Sequence, residues 1–191
     1  MLTKIVKLTG TSPLLMHATT SIDPTHKLSR AMKAITSKHA SKKTEDDLIE
    51  LKRLEFEAGL YFDDEIGPYL PGELLQACIR DGGKANRLGS EVTRSVLVVD
   101  DRVCLIYAGP RTKKGLWEKG FSDTRSVKIG QNRVLRTRPI FSEWAVEFQV
   151  QLDVEHLDPG LFDECVANAG QRVGLGDYRP RFGRFTAEIR E

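Results

Sequence analysis

The chain predicts an α+β fold built on a βαββαβ core, and three observations carry that expectation. Trp144, Val146, Phe148, Val150 and Leu152 alternate with Ala145, Glu147, Gln149 and Gln151, the period-two pattern of a half-buried strand. Two apolar stripes at helical spacing follow Pro71 and the pair Asp158-Pro159. Short apolar runs at the two chain ends supply the first and last strands. With 191 residues the chain is long enough for one domain with a sizeable core.

Taken in order, residues 2–8 read as the first strand, with Leu2, Val6 and Leu8 on one face. A polar stretch and a short helix over 27–38, marked by Leu28, Met32 and Ile35, come next. Thr44 is the expected N-cap of a helix carrying Leu48, Leu51, Leu54 and Ala58, with Glu45, Asp46 and Asp47 at its positive start. Gly59 stops it. Pro71 suits a first helical position, and Leu74, Leu75, Cys78 and Ile79 form the stripe of a helix over 71–81. Asp81-Gly-Gly83 weakens or ends it.

Two apolar runs, 96–99 and 103–107, separated by Asp100-Asp-Arg102, suggest a hairpin. Residues 109–132 are basic and punctuated by glycine, a loop or an exposed hairpin. Residues 134–140 stand close enough to 144–152 to pair with it. Asp158-Pro159 opens a helix with Leu161, Phe162, Cys165, Val166 and Ala169 inward, ended by Gly170. The final strand, 182–190, sets Phe185, Ala187 and Ile189 on one face. The core order is then strand 2–8, helix 71–81, strands 134–140 and 144–152, helix 158–169, strand 182–190. That order is a ferredoxin-like split βαβ unit, also described as RRM-like. The expectation is a single domain over 1–191, with insertions at about 10–70 and 84–130. The fold by itself does not decide function.

Charge is unevenly spread. Net charge is only +2, yet residues 109–140 hold nine Lys/Arg against Glu118 and Asp123, which leaves the rest of the chain at −5. Such asymmetry suits an anionic partner or a solvated loop. Lys113, Lys114, Arg136 and Arg138 are the candidate contacts within it. Cys78, Cys104 and Cys165 are scattered, odd in number and set in apolar surroundings, as free thiols of a reducing compartment would be. No apolar run reaches the length of a membrane span, and the start lacks a signal-peptide core. A soluble, cytoplasmic protein is expected, with no membrane partner and no cofactor.

The most chemically loaded stretch is Val173-Gly-Leu-Gly-Asp-Tyr-Arg-Pro-Arg-Phe-Gly-Arg-Phe185, with three glycines, three arginines and three aromatics in thirteen residues. Gly174 and Gly176 permit positive φ and close backbone approach. Arg179, Arg181 and Arg184 offer planar forks suited to phosphate. Tyr178 and Phe182 offer faces on which a base stacks. The combination suits a polyanion with exposed bases; the alternative is a glycine cap and a turn into a basic edge strand whose arginines pair with Asp177 and Glu188.

This stretch resembles the glycine-rich loop of the RAMP superfamily of CRISPR proteins, which precedes their last strand. Tyr69-Leu-Pro-Gly-Glu-Leu-Leu-Gln-Ala-Cys-Ile-Arg80 resembles that superfamily's helix start, and Lys7-Leu-Thr-Gly-Thr-Ser-Pro-Leu-Leu-Met-His17 is similar to the first strand and loop of its backbone-forming members. Glu73 and Leu74 stand where small residues are usual, and Gln76-Ala77 where Lys-Gly is usual. The resemblance implies a ferredoxin-like fold and RNA bound along its backbone, with Gly174, Gly176, Gly183, Arg179 and Arg181 at phosphates and Arg80 at the end of the binding helix. It also implies copies stacking side by side as a homo-oligomer or filament on the ligand. The chain as a whole also resembles small uncharacterised proteins of tailed phages and prophages.

Among catalytic candidates, His17 is the strongest of His17, His26, His39 and His156, because it follows the first strand. No second acid or base is assignable to it by spacing, and a loop histidine is more often solvated. Asp23, Asp100 and Asp101 are conceivable carboxylates, although Asp100-Asp101 is more simply a turn. Gly109-Pro-Arg-Thr-Lys-Lys-Gly115 lacks the Gly-Lys-Ser/Thr ending of a phosphate-binding loop. No metal site is expected. Three readings remain open at this point. They are a non-catalytic protein binding single-stranded RNA or DNA, a metal-independent endoribonuclease using His17, and a phage-encoded module that binds protein by mimicking or blocking a RAMP subunit.

Overall fold

The computed structural model describes residues 1–191, Ile129 by its backbone alone. In chain order the elements are β1 (Leu2–Gly10), β2 (Leu14–Leu15), α1 (Lys27–Thr36), α2 (Glu45–Gly59), β3 (Phe62–Asp63), β4 (Gly67–Pro71) and α3 (Gly72–Gly83). Then follow α4 (Gly89–Ser95), β5 (Val96–Val98), β6 (Arg102–Cys104), α5 (Lys113–Glu118), β7 (Ser122–Ile129) and β8 (Asn132–Phe141). The last are β9 (Ala145–Leu152), α6 (Pro159–Asn168) and β10 (Phe185–Arg190). The chain divides into two compact units. The first comprises Met1–Leu15, Asp63–Ala108 and Phe141–Glu191; the second comprises Met16–Phe62 and Gly109–Ile140.

The first unit is the ferredoxin-like core. Its sheet runs β10-β1-β9-β5, with every neighbouring pair antiparallel. With α3 between β1 and β5 and α6 between β9 and β10, this is the βαββαβ connection with strand order 4-1-3-2. The alternation read at 144–152 is realised: Val146, Phe148, Val150 and Leu152 are buried, while Glu147, Gln149 and Gln151 are exposed. Trp144 lies just before the strand, buried, its indole N–H donating to the Ser12 carbonyl at 2.9 Å.

Three expectations about the core change. The strand paired with β9 on the side away from β1 is β5, with Val96 opposite Leu152 and Val98 opposite Val150, and not 134–140. Residues 134–140 lie in β8, which forms a hairpin with β7 from Ser122↔Pro139 to Ile129↔Asn132 around a two-residue turn at 130–131. The 96–99 and 103–107 runs do not pair with each other. Asp100 Oδ2 accepts the Gln149 N–H at 2.9 Å, and β6 turns away to pair with β4 at Tyr69↔Cys104 and Leu70↔Val103. Pro71 is extended and ends β4, so α3 begins at Gly72.

α3 ends at Gly83, within the Asp81-Gly-Gly83 stretch expected to weaken or end it, and both glycines lie inside its last turn. A Cβ on Gly82 would lie 2.3 Å from the Cys165 carbonyl oxygen and 2.6 Å from the Ala169 nitrogen. Glycine at 82 therefore lets α3 and α6 approach backbone to backbone, a distance any side chain would prevent. On the sheet side, position 4 falls on the inward face of β1 together with Val6 and Leu8. Lys4 is 5% exposed, and its ammonium donates to Asp163 Oδ1 at 2.7 Å and lies 5.6 Å from the Phe162 ring centre. A buried cation thus ties β1 to α6.

The second unit contains α1, α2, α5 and the β7–β8 hairpin. Thr44 caps α2 as expected and forms a capping box with Asp47, both hydrogen bonds at 3.2 Å. The buried residues of α2 are Leu54, Phe56, Ala58 and Gly59, whereas Leu48 is exposed. Phe56 packs against Trp117 of α5 with ring centres 5.5 Å apart. Among the described residues, no helix is long and apolar enough to cross a membrane.

Two measurements check this packing. Asp163→Asn leaves the Lys4 ammonium in an apolar site without its anion, and we expect a loss of roughly 1–3 kcal/mol in denaturant unfolding, less than for a fully buried pair because Asp163 is partly exposed. Lys4→Met should be neutral or stabilising, since it removes the buried charge. For the thiols, burial pushes Cys78 up to about 12, against the pull of Arg179, and burial also raises Cys165. Both stay protonated at pH 8. Iodoacetamide on the native protein should therefore modify the exposed Cys104 alone, the other two reacting only after unfolding, as peptide mass mapping would show.

Candidate nucleic-acid interface

The glycine-rich stretch emerges from the end of α6 through a wide helical turn, Ala169–Val173, and runs to β10 as an irregular but heavily bonded loop. Gly174 N donates to the Ala169 carbonyl at 2.8 Å and breaks the helix at φ 79°. The loop then folds back on itself and on residues 11–15. Leu175 N bonds Gly183 O, Gly183 N bonds Pro13 O, Asp177 N bonds Leu15 O and Thr11 N bonds Arg184 O, all at 2.8 Å. Ser12 Oγ accepts the Arg184 N–H at 2.9 Å.

These bonds explain the glycines. A Cβ on Gly176 would sit 2.3 Å from the Leu15 carbonyl oxygen, and one on Gly183 would sit 1.8 Å from the Leu175 carbonyl oxygen. Each also has φ above 70°. On Gly174 a Cβ would meet the Phe182 carbonyl oxygen at 2.6 Å. The close approach that the sequence suggested is thus an approach of the chain to itself, and it is filled from within.

The side chains divide sharply. Phe182 is buried, 8% exposed, with its ring edge against Tyr178, so it is a core ring and not the stacking platform expected of it. Tyr178, by contrast, is 37% exposed and held at φ 56° by a backbone whose N–H donates to Asp177 Oδ1 at 2.8 Å. Arg179, Arg181 and Arg184 are all exposed. Arg184 is turned inward along the loop, its Nε donating to the Pro180 carbonyl at 2.8 Å. The pairing with Glu188 considered from the sequence is not what holds it.

Beside the loop lies an open cleft of about 550 Å³, lined by Asp81, Arg172, Gly176, Tyr178 and Arg179. Arg172 is a residue that sequence reading missed. It stands one position before the stretch, yet in space it shares the cleft with Arg179 and Tyr178. Its signal was a basic residue in the last turn of a helix, too common to single out.

Arg80, on α3, lies in the same unit, and its Nη2 and Nε donate to Asp81 Oδ1 at 3.0 and 3.2 Å. Lys84 reaches the same oxygen at 2.7 Å. Partial burial pushes the Asp81 carboxyl up, but the hydrogen bonds from Lys84 and Arg80 outweigh it and hold the group below the usual carboxylate range. Arg80, Lys84 and Arg87 also line a second open cleft of about 350 Å³. The first unit thus sets Arg172 and Arg179 on one cleft and Arg80, Lys84 and Arg87 on another, with Asp81, which lines the first, paired to Arg80 and Lys84.

The remaining candidates belong to the second unit. The Lys113 ammonium lies 4.9 Å from the Phe62 ring centre, and Lys114 is 3.8 Å from Glu118. Arg136 Nη1 donates to Glu55 Oε1 at 2.6 Å, so its charge is matched within the unit. Arg138 is half-buried and lines a cavity together with the exposed His17. Asp100 and Asp101 are structural, Asp101 accepting the Gly72 N–H at 2.9 Å through its carbonyl. Asp23 closes a turn on Thr25, accepting its N–H at 2.8 Å and its hydroxyl at 2.7 Å. Among the described residues, no group of three His, Cys, Asp or Glu could hold a metal ion.

No protein-family model matches the chain, and no curated protein matches it. Its fold does resemble a solved structure. A chain of the cryo-EM structure of the Type III-B Cmr-beta bound to cognate target RNA superposes with a TM-score of 0.51 at 14% identity. The match covers 98% of this chain and 60% of that one, so this chain spans less than two thirds of its neighbour's length. The likeness is one of fold alone.

Proposed function

We propose that this protein binds single-stranded RNA without cleaving it, gripping the phosphate backbone through the loop at 172–184. The observation that carries the reading is the division within that loop. Its backbone is fixed by hydrogen bonds within the loop and to residues 11–15, while Arg172, Arg179 and Tyr178 reach the surface at an open cleft and Arg181 is exposed on the same loop. A prefolded backbone carrying exposed guanidinium groups binds a polyanion at low entropic cost, because the loop need not order on binding. Tyr178 adds a partly exposed ring on which one base stacks. Phosphate contacts carry no base information, so little sequence preference is expected. The fold shared with a chain of an RNA-bound assembly supports this reading and favours RNA over DNA.

The test is a fluorescence-anisotropy titration of labelled single-stranded RNA at several salt concentrations. Arg179→Ala combined with Arg181→Ala should weaken binding to unrelated sequences alike. It should also shallow the slope of log affinity against log salt by roughly 0.7 for each phosphate no longer neutralised. Tyr178→Ala should cost roughly 1–3 kcal/mol without changing that slope. Gly176→Val is no test of RNA approach, because its side chain would collide with Leu15. A double-arginine variant that keeps its fold and shows unchanged affinity and slope removes the loop from the site.

A further inference from the structure

We infer that the crevice between the end of α3 and α4, in the first unit, is a second phosphate subsite that holds the RNA backbone where the strand runs on from the loop at 172–184. The inference rests on the reading of that loop as an RNA-binding surface and extends it. The crevice, about 350 Å³, is lined by Arg80, Lys84, Arg87, Gly89, Ser90 and Thr93. None of these is an aromatic or large aliphatic residue, so the lining offers a base nothing to settle on. Arginine, lysine and hydroxyl side chains are the groups that contact phosphate and sugar.

Arg87 is the residue that the fold by itself does not explain. Its N–H donates to the Lys84 carbonyl at 3.1 Å, and the Leu88 N–H donates to the Gly83 carbonyl at 2.9 Å. These are the two bonds of a Schellman cap, with Arg87 at its left-handed position, φ 62°. Glycine or asparagine is usual there, because other side chains are strained at positive φ. The Arg87 side chain is exposed and, among the described residues, has no hydrogen bond or ion pair. An arginine held at a position that favours glycine, and tied to nothing within the chain, points to a partner outside it.

The neighbouring cations are placed by the same turn. A Cβ on Gly89 would lie 3.0 Å from Lys84 Cγ, so the glycine leaves room for the lysine stem in the crevice. The Lys84 ammonium and the Arg80 guanidinium both donate to Asp81 Oδ1, at 2.7 and 3.0 Å. Three cations against one carboxylate leave an excess of positive charge, and Arg87 carries the part that no acid matches. Asp81 lines the loop cleft while Arg80 lines the crevice, so the Arg80–Asp81 pair is the divide between the two. A strand that leaves Arg172 and Arg179 across this divide comes next to Arg87. Asp81, already bonded to two cations, repels it little.

Fluorescence-anisotropy titration with single-stranded RNA of about 4 and about 16 nucleotides tests this, the lengths spanning the usual site sizes of a small single-strand-binding domain. Arg87→Asn is the variant of choice, because asparagine suits the left-handed backbone and the fold is kept. It should weaken the longer strand about tenfold, the worth of one charge-assisted contact, and shallow its salt slope by roughly 0.7. The shorter strand, held at the loop, should bind Arg87→Asn as it binds wild type. Arg94→Ala, which removes an exposed charge of α4 outside the crevice, is the control for the general field and should change little. A loss on the longer strand in Arg87→Asn no greater than in Arg94→Ala would overturn the inference and leave the loop reading intact. Loss in Arg87→Asn with none in the Arg179→Ala, Arg181→Ala variant would instead remove the loop and keep the crevice as the phosphate site. Equal loss on both lengths would overturn the crevice as a separate, second subsite.

Discussion

The stitching of residues 174–184 to residues 11–15 is the constraint on which the candidate interface depends. Three backbone hydrogen bonds of 2.8 Å to residues 11–15, one of 2.8 Å within the loop and one from the Arg184 N–H to the Ser12 hydroxyl occupy the inner side of the loop. A loop of this composition would otherwise be free to move, since three glycines in eleven residues impose little order of their own. Here each glycine stands where another backbone passes too close for a Cβ. The outcome is a rigid inner face and an outer face left to arginine and tyrosine.

That arrangement is in turn carried by the sheet and its two helices. Residues 11–15 follow directly from β1, whose position is set by antiparallel pairing on both sides, to β9 and to β10. The loop leaves from α6, which is drawn against α3 at Gly82 and tethered to β1 through Lys4 and Asp163. The Cys78 thiol donates to the Gly174 carbonyl at 3.3 Å, so α3 also touches the point where the loop begins. Both ends of the loop are therefore fixed by the same core, and Arg80 and Lys84 sit at the end of the helix that helps fix them.

Where the side-chain pattern was long and regular, sequence and structure agree. The alternation from Trp144 to Leu152 and the stripe after Asp158 extend over enough residues for the period to be unambiguous, and both elements lie where expected. The second core strand was not legible, because Val96–Val98 is three residues long and any short apolar run fits several roles. The stronger alternation at 134–140 belongs to a hairpin whose partner, Ser122–Ile129, reads as polar and basic. Lys4 was passed over because lysine is rarely buried, although its place between Leu2 and Val6 put it on the inward face. In the loop, composition revealed the arginines but not the burial of Phe182, which depends on a fold-back fixed by distant residues. Arg172 was missed for the same reason, its nearness to Arg179 being a property of the turn and not of spacing.

The central claim is that RNA meets a preformed outer face of this loop. The most direct measurement is backbone and arginine-side-chain NMR of the isotopically labelled protein, titrated with a short single-stranded RNA and followed by amide hydrogen exchange. The account predicts shifts concentrated at residues 172–181, led by the Arg172, Arg179 and Arg181 side chains. It also predicts that the Leu175, Asp177 and Gly183 amides are as protected before RNA is added as after. Shifts absent from residues 172–181, or loop amides that gain protection only on binding, would contradict it.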